Sequence, residues 1–126
     1  MTEASARSVS LAIPPKPDYI VLARLALSAI CRLTPLQPDD VADLKLAVSE
    51  VATERLAGAS GESVRLLFEL EDDRIVVDLQ ADSAPAGSED ALSRAIVEAT
   101  VDEVTYEASS VRLVKRLPDS PNGPEA

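Results

Sequence analysis

Two glutamates one helical turn apart, Glu50 and Glu54, are the first residues whose types and spacing could do chemistry. At that spacing they share one face of a helix. Their like charges repel by a few tenths of a kcal/mol. Carboxylate oxygens are hard donors, so either side chain could ligate magnesium. Together with Asp43 they read equally as a solvated acidic face. Arg24 stands in the apolar stretch Ala23-Arg24-Leu25. A guanidinium forks well onto carboxylates and is common at the centre of protein interfaces. It also reads as an ordinary exposed helix charge. Cys31 is the only cysteine, and the chain has no histidine to activate it. It therefore reads as a small core residue, not a nucleophile.

These counts exclude whole classes of chemistry. One cysteine cannot form a disulfide within the chain. Zinc held by Cys/His clusters is excluded, as are histidine acid–base catalysis and Ser–His–Asp triads. The 22 acidic residues outweigh the 12 basic ones, for a net charge of −10. Phosphate backbones would be repelled, so no direct nucleic-acid contact is expected. Such a surface suits a basic protein partner, or simply keeps the chain soluble. No apolar run approaches the roughly 20 residues of a membrane span. Met1 to Arg7 lacks the apolar core of a secretory signal. The expected location is the cytoplasm, without membrane attachment.

The elements that must position these residues follow from periodicity. The chain of 126 residues suits one domain, and 46% of them are apolar. Aromatics make up only 2%, so Leu, Val, Ile and Ala must build the core. Val9, Leu11 and Ile13 alternate with small residues as one face of a strand. Pro14, Pro15 and Pro17 end it in an extended crossing. Ile20, Ala23, Leu27 and Ile30 give a helix over 18–33, with Asp18 as its N-cap. Pro38 suits the first turn of a second helix, and Asp39 and Asp40 favour its dipole. Val41, Leu44, Val48 and Val51 form its apolar stripe, running to about Ala57 before Gly58. Val64–Leu70 and Ile75–Leu79 alternate as a hairpin around the polar turn 71–74. Ser88, Glu89 and Asp90 cap a third helix that runs to about Val101. Strands near 104–107 and 111–117 close the chain. The domain is expected over 8–117, with 1–7 and 118–126 disordered. This order implies an α+β two-layer sandwich, helices packed on one face of a mixed, mostly antiparallel sheet.

The segment Asp39 to Thr53 resembles the second helix of anti-sigma-factor serine kinases, within the GHKL superfamily of histidine-kinase-like (Bergerat-type) ATPases. Ile13 to Tyr19 is similar to their first strand and following turn. Val101 to Tyr106 resembles the end of their last helix, and Val111 to Lys115 their final strand. Four separate segments thus agree in order and spacing. The resemblance implies that Glu50 matches the glutamate that acts as general base on an attacking serine. Glu54 stands where the family has a magnesium-binding asparagine. Arg24 falls where the family has an arginine of its partner-binding surface.

The family's next motif is Asp-x-Gly-x-Gly, whose aspartate reads the adenine amino group. In the simplest register Ala81-Asp82-Ser83 takes its place, with alanine for the aspartate and serine for the glycine. Sliding one residue keeps Asp82 but loses the glycine, which lets backbone approach the ligand closely. Alternation favours the first register, because Ala81 then shares a face with Val77 and Leu79. A phosphate lid needs glycine amides exposed to the anion. Between Ala81 and Leu92 only Gly87 is glycine, among Asp82, Glu89 and Asp90. The resemblance thus implies ATP or ADP with magnesium as cofactor, while these residues imply a weak or lost nucleotide site. The expected function is an anti-sigma-factor-like regulator in a stress response. It would bind a sigma factor, be antagonised by an anti-anti-sigma protein, and pair as a homodimer as family members commonly do. The alternative is an active ATP-dependent serine kinase that phosphorylates that antagonist.

Overall fold

The computed structural model describes residues 7–58, 63–81 and 91–118. In chain order the elements are β1 (Arg7–Ile13), a 3-10 turn (Pro17–Tyr19), α1 (Ile20–Cys31) and α2 (Pro38–Gly58). They continue with β2 (Val64–Leu70), β3 (Arg74–Ala81), α3 (Ala91–Thr100), β4 (Glu103–Tyr106) and β5 (Ser110–Arg116). The five strands form one sheet in the order β1-β2-β3-β5-β4. All four pairings are antiparallel, which narrows the expected mixed sheet to an antiparallel one.

Period-two alternation decides which face is buried. Register sets Leu66 opposite Leu79 and Phe68 opposite Val77. Val77 in turn faces Leu113, and Leu79 faces Val111. These side chains meet Ala23, Leu27 and Ile30 of α1 and Leu44, Val48 and Val51 of α2 in one core. Each fully buried Leu, Val or Phe contributes about 1.5–3 kcal/mol over an exposed one. With so few rings available, Phe68 is the one phenylalanine in that core. The other face of the sheet is polar, with Arg112 pairing to Asp78 at 3.0 Å. Apolar residues interrupt it: Val76 and Val114 lie opposite each other and are both buried, apart from the main core, and Leu67 lies opposite Asp78.

The first two helices begin in different ways. Pro38 opens α2 as expected, with Asp39 and Asp40 in its first turn. Asp18 does not cap α1. The N-cap is Tyr19, with no side-chain cap hydrogen bond. Pro17 instead starts a 3-10 turn that takes in Asp18, and the Ile20 N–H donates to the Pro17 carbonyl. Backbone thus satisfies a donor that a capping carboxylate would have taken. The same turn corrects the fully extended crossing expected after Pro14.

Side-chain anchors tie the strands to the helices. Lys115 on β5 donates to the Thr100 carbonyl at the end of α3, at 3.1 Å, and reaches Asp40 of α2 at 3.7 Å. A cation there complements the negative end of the α3 dipole. At the opposite end of the last hairpin, Arg55 of α2 donates to the carbonyls of Ala108 and Glu107, each at 3.0 Å.

Candidate functional site

The candidate site is built on α2, which packs against α1, α3 and the sheet. Its stripe of Leu44, Val48 and Val51 faces the core, so residues beside that stripe must look toward the flanking helices. Glu50 is one of them. It is half-buried, and its Oε1 accepts a hydrogen bond from Ser93 Oγ of α3 at 3.0 Å. Ser93 is 8% exposed. Glu54 lies one turn further along, also half-buried. Its Oε2 is shut from solvent without a hydrogen-bond partner, as are Ser49 Oγ and Arg94 Nε.

Next to Ser93, Arg94 lays its guanidinium 3.9 Å over the Tyr106 ring. Burial pushes the Tyr106 hydroxyl above its ordinary range, and Arg94 is the foremost opposing charge. The cation and the quadrupole of the ring attract one another, binding α3 to β4.

Ala81 ends β3 opposite Val64 and is 2% exposed. It shares the inner face with Val77 and Leu79, so the expected alternation holds. Its N–H donates to the Ser109 carbonyl. A methyl group in the core offers no polar atom to a ligand. Asp82, Ser83 and Gly87 lie outside the described residues, as do the expected caps Ser88, Glu89 and Asp90. Among the described residues, no group of three or more Asp, Glu, Cys or His side chains is arranged to hold a metal.

Arg24 occupies a different region. It is exposed on α1 and lines a shallow pocket of about 300 Å³ with Ala42, Lys45, Leu46 and Ser49 of α2. On the same helix Val21, Leu22 and Leu25 are exposed, Leu25 by 60%. The structure therefore turns Glu50 toward α3, leaves Glu54 one turn further along α2 within electrostatic reach of Tyr106 of β4, and sets Arg24 in the groove between α1 and α2. Cys31 is buried at the end of α1, and burial pushes its thiol up to about 11 against the opposing charge of Lys45. That is the behaviour of an inert core thiol.

Sequence reasoning missed Ser93, Arg94 and Arg55. Each makes its contact with a residue far away in the chain, which no local period or spacing encodes. Among the described residues, no helix is long and apolar enough to cross a membrane.

No family model matches the sequence. The serine-protein kinase RsbW of Bacillus licheniformis is 33% identical over 119 residues, covering 88% of this chain and 74% of that protein. The serine-protein kinase RsbW of Bacillus cereus is 31% identical over 72 residues, covering 55% of this chain. That match spans less than half of the Bacillus cereus protein, 45%. Among solved structures, the RsbU and RsbW domains of Rv1364c from Mycobacterium tuberculosis match with a TM-score of 0.67 at 13% identity. That match covers 88% of this chain and 32% of the other.

Proposed function

Because the chain belongs to the RsbW serine-protein kinase family, we propose that it acts as an anti-sigma-factor-like regulator that works by grasping proteins. It captures a sigma factor and releases it when an anti-anti-sigma protein competes. The observation that carries this reading is the surface of α1, where Val21, Leu22 and Leu25 are exposed beside Arg24. Clustered apolar side chains rimmed by charge mark protein contacts more than plain solubility. An arginine among them supplies a fork for a partner's carboxylate. The proposed setting is the cytoplasm, and a homodimer fits the family resemblance.

The family chemistry calls for ATP and magnesium, and the described residues at the matching positions, Glu50 and Ala81, fit that group badly. One Glu50 oxygen already accepts a hydrogen bond from the chain's own Ser93. Ala81 offers a buried methyl where the family resemblance has an adenine-reading carboxylate. Partner capture through α1 needs neither of these positions. A single feature favours the second reading, an active serine kinase with Glu50 as base. It is the buried, partnerless Glu54 Oε2, an oxygen suited to a cation.

Pull-down of the purified chain with each sigma factor and each anti-anti-sigma candidate encoded beside it tests the first reading. Capture of a sigma factor that a competing antagonist displaces is the expected result. Failure to hold any of them would end this assignment. Transfer of labelled phosphate from ATP to the antagonist would establish the second.

A further inference from the structure

We propose that Ser93 is a built-in hydroxyl seal over Glu50, filling the place from which another protein's serine would have to surrender its proton. The inference rests on reading Glu50 as the family's base position. Ser93 Oγ lies 3.0 Å from Glu50 Oε1, within the range a general base needs to a hydroxyl it serves. The donor is supplied by the chain itself, from the third residue of α3. Ser93 is nearly buried, so its hydroxyl does not simply exchange with water.

The seal is held by more than one bond. Arg94, the next residue, stacks on Tyr106 of β4. At the other end of α3, Lys115 of β5 holds the Thr100 carbonyl. Val97 is buried between these points, and Thr100 is buried at the second of them. The backbone that carries Ser93 is therefore held in place by a helix fastened to the sheet at both ends. An outside hydroxyl has to displace Ser93 Oγ to bond that Glu50 oxygen. Ser93 is thus a positioning residue that keeps Glu50 satisfied and closed.

The test is access to the Glu50 carboxylate. The full chain, Ser93→Ala and Ser93→Thr are treated with a water-soluble carbodiimide and glycine ethyl ester. Amidation of Glu50 is then followed by peptide mass spectrometry, with exposed Glu107 as internal reference. Relative to Glu107, Ser93→Ala should raise the Glu50 rate at least fivefold. Ser93→Thr keeps the hydroxyl and should stay within twofold of the parent. Equal rates in the parent and the alanine variant overturn the proposal, as does an equal rise in both variants, which would mark a space-filling role only. A second measurement uses the unmodified chain, in case Ser93→Ala does not fold. The Ser93 hydroxyl proton should be visible by NMR in slow exchange with water, with an NOE to the Glu50 side chain, and a hydroxyl in fast exchange overturns the seal. Neither readout contains a partner or a nucleotide, so failure here leaves sigma-factor capture standing, and failure of capture is seen only in the pull-down.

Discussion

Arg55 on α2 fastens Ala108 in the β4–β5 turn, its Nη1 donating to the Ala108 carbonyl at 3.0 Å. Its other terminal nitrogen donates to the Glu107 carbonyl at 3.0 Å and reaches that of Ser110 at 3.5 Å. Among the described residues Arg55 is the one charged residue that is buried, only 7% exposed. A planar fork serving several carbonyls explains why arginine stands there, since an ammonium cannot span them.

Arg55→Ala should therefore cost about 3 kcal/mol, because hydrogen bonds to charged groups are each worth more than neutral ones and the carbonyls lose their donor. Arg55→Lys should recover less than half of that. Urea denaturation curves of the three proteins measure it. Loss below about 0.5 kcal/mol in the alanine variant would show that water replaces the guanidinium at no cost.

The contrast between Arg55 and its own helix shows what the sequence makes legible. The start of α2 is readable because Pro38, Asp39 and Asp40 act on the turn they sit in. The β2–β3 hairpin is readable because Leu66, Phe68, Val77 and Leu79 alternate around a short polar turn. Glu50 and Glu54 are legible as a pair because helical spacing alone puts them on one face. The partners of these residues are not. Ser93 meets Glu50 only after α3 packs against α2, and Arg55 meets Ala108 only after β4 and β5 have paired. Asp18 failed as a cap for a local reason, since Pro17 favours a 3-10 turn there. The open sheet order, with β1 beside β2 across two helices, is likewise a property of packing and not of any window of sequence.

Cys31 carries a pH dependence whose sign follows from its burial. Its thiol is pushed from an ordinary value of 9.0 to about 11 in the folded chain. Below pH 9 both folded and unfolded chains keep the proton, and the group contributes its full stabilisation. Between about 9 and 11 the unfolded chain releases a proton that the folded chain retains. Stability must fall as pH rises through that window. Urea midpoints at pH about 8.5 and about 10.5 should therefore differ more in the parent than in Cys31→Ala. Identical differences in the two proteins would show that the thiol titrates alike folded and unfolded.

Magnesium nucleotide should barely stabilise the chain. A ligand present at its own dissociation constant adds about 0.4 kcal/mol by mass action. With a site this poorly furnished, millimolar Mg-ATP should reach no further, a rise in melting temperature below about 3 °C. Differential scanning fluorimetry with and without magnesium checks it. A rise of about 10 °C, reversed by chelation, would mean that residues 82–90 supply phosphate contacts strong enough to outweigh the sealed Glu50 and the methyl of Ala81.

Capture of a partner should depend on α1 without depending on the fold. Arg24 and Leu25 are both exposed, so their replacement removes no core contact. Surface changes of this kind usually shift stability by less than about 0.5 kcal/mol. Arg24→Glu reverses the charge that would fork onto a partner's carboxylate, and should weaken capture by about 2 kcal/mol, about thirtyfold. Leu25→Ser removes apolar area from the same ridge and should weaken it by about 1 kcal/mol. The two residues adjoin, so the double variant should lose less than the sum if they touch one partner group together. Calorimetric titration of the captured sigma factor into each variant, beside thermal melts of the free chains, separates binding from folding. Undiminished affinity in Arg24→Glu would move the interface away from α1, because a reversed charge at the centre of a contact cannot go unfelt.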